Sequence, residues 1–167
     1  MHTKSPTSSR TQAIILSSLL LLGAGCTSQP EWQTETQPVH GMLTINGKPA
    51  KGAVVTLHPK GEDIDIRESK PWGVTDENGT YRLRTYTKDD GAPVGEYQAT
   101  FVWQINPSVM GSPDQLGSAY TNPDKSEWTF NITEETTELP PIEVKGAKVA
   151  SAPSRTSRKP TPFDDPG

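Results

Sequence analysis

"GEYQATFVW", residues 95–103, alternates with a period of two. Tyr97, Ala99, Phe101 and Trp103 share one side, Glu96, Gln98 and Thr100 share the other, and Val102 is the exception. That alternation is the mark of a half-buried β-strand. Working outward, "EWTFNIT" (127–133) turns Trp128, Phe130 and Ile132 inward, and "AVVTLH" (53–58) does the same with Ala53, Val55 and Leu57. In 80–86 Tyr81 and Leu83 face in while Arg82 and Arg84 face out. Val39, Leu43 and Ile45 open the domain, Ile142 and Val144 close it, and a short strand at 72–75 brings the expected count to seven. The segments between them, such as "NGKPAKG" (46–52) and "DDGAPVG" (89–95), carry glycine and proline turn chemistry. The expected fold is all-β: a seven-stranded β-sandwich of the immunoglobulin-like or transthyretin-like kind.

Composition agrees. The 167 residues are 31 % hydrophobic, with 16 Pro and 14 Gly, which describes a lean core in a turn-rich chain. The formal charge is −4, so no basic field exists to hold nucleic acid. One cysteine is present, which excludes an internal disulfide.

That cysteine has a telling position. Lys4 and Arg10 precede an apolar run, "AIILSSLLLL" (13–22), and "GAGC" (23–26) follows. A positive start, a short apolar stretch and small residues at its exit make a secretory signal; the run falls short of the roughly 20 residues needed to span a bilayer. Leu22-Gly23-Ala24-Gly25-Cys26 resembles a bacterial lipobox, although the leucine stands one place earlier than that motif prefers. The resemblance implies cleavage before Cys26, acylation of its thiol, and a cell-envelope protein held to membrane lipid by that residue. Loss of residues 1–25 would leave 142 residues and, with Lys4 and Arg10 gone, shift the charge from −4 to −6. Residues 26–38 read as a polar tether, 39–145 as the sandwich, and 146–167 as a disordered tail rich in Ser, Pro and charge. Trp32, within the tether, suits either a membrane interface or a cap on the domain.

"GVTDENGTYRLRTY" (73–86) poses the main chemical question. Gly79 is only fourth from Asp76, and position twelve is Thr87, so the EF-hand calcium pattern fails. Asp76 and Glu77 are sequence neighbours, which on a strand point apart rather than converge on one bond. A turn fits: Asp76 can cap backbone N–H groups ahead of it, and Asn78-Gly79 tolerates positive φ. Together with "INGKPAKGAVVTLHP" (45–59) and "GAPVGEYQATFVW" (91–103), this stretch resembles the carboxypeptidase regulatory-like family. That family is a transthyretin-like sandwich found in many small bacterial lipoproteins. Gly52 to Leu57, Thr75-Asp76 with Gly79 and Tyr81, and Gly95-Glu96-Tyr97 carry the likeness, as does "AYTNPDKSEWTFNIT" (119–133). The likeness covers 39–145 and implies a fold, not an activity.

No catalytic, cofactor or metal residues are assigned. Beyond the leader only His40 and His58 remain, too few for a four-ligand zinc site. The His58, Glu62, Asp63, Asp65 group reads as a solvated acidic loop. Lys48, Lys51, Asn131 and Glu96 are the loose ingredients of a Lys–Asn isopeptide bond, but alternation turns Asn131 and Glu96 to solvent. The core is expected to rest on Tyr97, Phe101, Trp103, Trp128 and Phe130. Arg82, Arg84 and Lys88 face outward and read as a solvated sheet face in preference to a basic binding strip. The functional expectation is a non-enzymatic, lipid-anchored binding or scaffolding domain with an envelope protein or polysaccharide as partner. The alternative is a carbohydrate- or peptide-binding module serving an envelope enzyme complex, using the 105–126 loop, Trp72 or Tyr120.

Overall fold

The computed structural model describes residues 1–2 and 30–150. Cys26 and the rest of the leader, and the tail from 151 onward, lie outside the described residues. The strands are β1 (His40–Ile45), β2 (Lys48–Pro49), β3 (Val54–Pro59), β4 (Trp72–Val74), β5 (Thr80–Arg82), β6 (Gly95–Val102), β7 (Thr129–Ile132) and β8 (Ile142–Val144). All seven expected strands are present. β2 is additional: Asn46 (φ 53°) and Gly47 (φ 76°) form a two-residue turn that folds Lys48 and Pro49 back onto Ile45 and Thr44. Asn-Gly is the sequence that such hairpins favour, because both central residues need positive φ.

Two four-stranded sheets face each other. In one, β1 pairs antiparallel with β2 and β5, and parallel with β8. The other is antiparallel in the order β4-β3-β6-β7, with β3 and β6 matched over six residue pairs from Val54↔Val102 to Pro59↔Tyr97. Alternating residues of both sheets meet in one core whose largest members are Tyr81, Tyr97, Phe101, Leu43, Leu57, Leu83, Ile132 and Ile142. Each fully buried side chain of this size contributes roughly 1.5–3 kcal/mol relative to exposure. Glu96 and Asn131 face solvent, as alternation predicts.

Four placements differ from the sequence reading. Trp103 and Trp128 only flank the core; the Trp103 indole N–H is spent on the Lys51 carbonyl at 2.8 Å. Thr100, expected outside, is buried on the outer face of its sheet, where its hydroxyl meets His58 Nε2 at 2.8 Å. From its sequence the 105–126 loop is expected to hold at most one helical turn, near "SPDQL" (112–116); among the described residues the helical turn falls instead at Pro123–Lys125. Asn122 caps it by accepting from Asp124 N–H and proline opens it, whereas Gly111, Gly117 and Ser118 take positive φ around 112–116. The fourth concerns the ends of the folded body, which reach beyond 39–145. Ala147 exchanges both backbone hydrogen bonds with the Asn46 side chain, and Ala150 N–H donates to the Gln115 carbonyl at 2.8 Å. Gln37 bridges Ala92, again with both bonds made.

Candidate functional site

The acidic stretch 76–79 is a turn. Asp76 Oδ1 accepts from Asn78 N–H at 2.8 Å and from Thr80 N–H at 3.0 Å, and Gly79 sits at φ 79°. A Cβ at residue 79 would press on the Leu43 carbonyl at 2.5 Å, so this position needs glycine for space as well as for conformation. Glu77 leaves the turn to meet Lys51, whose hydrogen bond and charge hold the exposed carboxyl below its ordinary range. Thr75, the first residue of the motif, is buried: its hydroxyl accepts from Ala53 N–H at 2.8 Å and donates to the Ala50 carbonyl. Sequence reasoning had given it no role.

The turn joins β4 to β5, which belong to different sheets yet touch. Trp72 and Arg84 exchange both backbone hydrogen bonds at 2.9 Å. Gly73 lies so close to β5 that a Cβ would run into the Arg82 carbonyl. On the outer side of this seam the alternate residues Trp72, Val74 and Asp76 of one arm lie beside Thr80, Arg82 and Arg84 of the other. With Lys88 and Asp89 from the next loop they line a surface groove of about 360 Å³. The Arg84 guanidinium lies over the Trp72 ring, 3.6 Å from its centre. Such stacking fixes the plane of an arginine while leaving its in-plane N–H donors at the edge. Among the described residues the ion pairs are Lys51–Glu77, Lys60–Glu96 and Lys145–Glu143, so Arg82, Arg84 and Lys88 form none. Arg82, Arg84 and Lys88, read from the sequence as a solvated sheet face, are instead gathered with Trp72 around one groove. Sequence alternation placed these cations outside; their convergence with Trp72 needed the inter-sheet bridge.

The loop behind the groove is built on Asp90, whose carboxylate accepts from the N–H groups of Thr85, Tyr86 and Thr87 at 2.7–2.9 Å. Tyr86, on that loop, receives the incoming chain. Trp32 packs edge-on against it, 5.5 Å between ring centres, and Arg67 covers Trp32 at 3.7 Å. Thr34 N–H donates to the Tyr86 hydroxyl, which itself donates to Asp65 at 2.8 Å. Partial desolvation raises the Asp65 pKa, but bonds from Ser69, Tyr86 and the Arg67 backbone outweigh it and hold the carboxyl below its usual range. Trp32 therefore caps the domain, and residues 32–37 are docked on it.

The other sequence candidates fare differently. The 105–126 loop is ordered around Asp114, which accepts from Trp103, Leu116 and Ser118 N–H, and its exposed tip carries Val109 and Met110. Tyr120 stacks on Phe101, ring centres 4.8 Å apart, so the fold itself engages it. His58, Glu62, Asp63 and Asp65 disperse: His58 turns to Thr100 and Asp65 to Tyr86. Among the described residues no three such side chains converge as metal ligands. Lys48 and Lys51 are exposed, with Lys51 engaged by Glu77. No family model, no curated protein and no solved structure matches this chain, so its likeness to the carboxypeptidase regulatory-like family rests on the turn and strand motifs alone.

Proposed function

We propose that the protein is a bacterial envelope lipoprotein, acylated at Cys26, whose β-sandwich is a non-enzymatic binding domain of the carboxypeptidase regulatory-like kind. The observation that carries this reading is the signal-like run 13–22 that ends in Gly25-Cys26; the docked entry segment bears on how an anchor there would hold the domain. Five residues, 27–31, separate Cys26 from Trp32, which allows at most about 22 Å of extended chain between the two. From Trp32 onward the chain is fixed to the domain by Arg67, Tyr86 and Ala92. An acyl anchor at Cys26 would then hold the sandwich close above the bilayer, and two or more acyl chains make such anchoring stable. The groove at Trp72 and Arg84 adjoins the same loop and offers a binding surface. That favours the second reading too, a carbohydrate- or peptide-binding module within an envelope complex.

The test is Cys26→Ser. The variant should lose incorporation of labelled fatty acid and leave the membrane fraction, or accumulate as unprocessed precursor. A variant that fractionates and migrates like the parent chain would sink the lipoprotein reading.

A further inference from the structure

We infer that the Trp72–Arg84 groove binds a carboxylated sugar, a uronic-acid-type unit of an acidic polysaccharide. The inference rests on the binding-domain reading above and names its ligand class.

Three features of the groove select that chemistry. Arg84 is held flat on Trp72, and among the described residues it has no anionic partner. A guanidinium fixed in this way presents a planar fork of donors, the geometry that matches a carboxylate bidentately. Arg82 and Lys88 stand on the same groove and add positive charge. The second feature is apolar: Val74, half exposed, and the edge of Trp72 give a floor for the C–H face of a sugar ring. The third is the pair of acids. Asp76 and Asp89 line the groove with Thr80, and Asp76 spends only Oδ1 on its turn. Carboxylate and hydroxyl oxygens accept hydrogen bonds from ligand hydroxyls, which a sugar has in plenty.

The same acids argue against a phospholipid surface. Three cations against two carboxylates leave the groove a net charge of only +1, and the chain as a whole carries −4. Anionic bilayer surfaces recruit polybasic segments of several Lys/Arg, and this groove is not one. A volume of about 360 Å³ also sits at the small end of ligand sites, suited to a short stretch of polymer.

The experiment is calorimetric titration of the chain in detergent with polygalacturonate oligomers. Its comparisons are the methyl-esterified oligomers, polyglutamate, and vesicles containing phosphatidylglycerol. We expect binding to the free acid, at least tenfold weaker binding to the ester, and weakening with added salt. Arg84→Gln and Trp72→Ala should each weaken binding at least tenfold, and Arg84→Lys should fail to restore it. Arg67→Gln, which alters the other stacked arginine, should leave it unchanged. Melting curves identify any variant that has lost its fold, and Arg82→Gln, on an exposed position, supplies a further test if Trp72→Ala does. Equal affinity for ester and acid, preference for polyglutamate or vesicles, or equal losses in Arg84→Gln and Arg67→Gln would each overturn the inference. Absence of binding to every probe, with Cys26→Ser still releasing the chain from membranes, would remove the inference and leave the anchor reading standing. Uronate binding through Arg84 in a chain that stays membrane-bound as Cys26→Ser would do the reverse.

Discussion

Tyr81→Phe should make this protein more stable. Tyr81 is fully buried, and its hydroxyl is the one buried side-chain polar atom among the described residues with no hydrogen-bond partner. The ring lies against Gly41, where even a methyl group would come within 2.6 Å of Cζ. A buried hydroxyl left unpaired costs about 1–3 kcal/mol. Removing the oxygen leaves a void of about one probe sphere, ~10–15 Å³, which at ~24 cal/mol per Å³ costs about 0.3 kcal/mol. The balance is a gain of roughly 0.7–2.7 kcal/mol, with each kcal/mol worth about 4 °C in Tm for a domain of this size. Urea unfolding should show the midpoint rising with the slope unchanged. Alkaline pH gives a second readout. Burial raises the phenol pKa of Tyr81, and of Tyr97 likewise, above the ordinary 10.0. Between the unfolded and folded pKa values the unfolded chain has released protons that the folded one keeps. Stability therefore falls as pH rises past about 10, by up to ~1.4 kcal/mol per pH unit for each group. Tyr81→Phe should remove one of the two contributions. A variant that is less stable than its parent by more than about 0.5 kcal/mol would refute the reasoning, because the hydroxyl must then have a partner in solution.

Two further predictions follow from the turn and from the outer sheet face. Gly79→Val should cost at least roughly 1–3 kcal/mol, from forcing a β-branched residue to positive φ, with the Leu43 carbonyl adding to it; an unchanged urea midpoint would disprove the strain. Burial and then the nearby Lys70 charge lower the His58 pKa from 6.5, so the unfolded chain binds its proton first. Stability should decline as pH falls below about 6.5, and that part of the decline should be absent in His58→Gln, which an identical pH profile for the two would contradict.

The strand pattern was legible because alternation reports directly on burial: Tyr97, Phe101, Phe130 and Ile132 are all inside, as their spacing requires. Turn chemistry was legible for the same local reason, with Asp76 bonding to residues two and four positions ahead. What escaped depends on contacts between distant segments. Thr100 is buried by a neighbour on another strand, and Thr75 by carbonyls more than twenty residues away. Trp32 carried no periodic signal, since its partners Arg67 and Tyr86 lie in two separate loops. The groove was half visible: alternation put Arg82 and Arg84 outside, but the bridge ties Trp72 of β4 to Arg84, just past β5 of the other sheet. No short-range rule predicts such a closure.

The parallel pairing of β1 with β8 has a mechanical meaning. β1 lies near the start of the folded body and β8 near its end, matched from Leu43↔Ile142 to Ile45↔Val144. Tension drawn between the start of β1 and the far end of β8 slides the two strands along each other, loading the pairing in shear instead of peeling it open one bond at a time. Forced separation is governed by the height of the unfolding barrier, not by equilibrium stability, and a shear-loaded ladder places several bonds under that barrier together. A module fixed at one end to a membrane and drawn from the other would thus resist pulling through the parallel β1–β8 pairing, which the parallel bridge His40↔Glu138 extends.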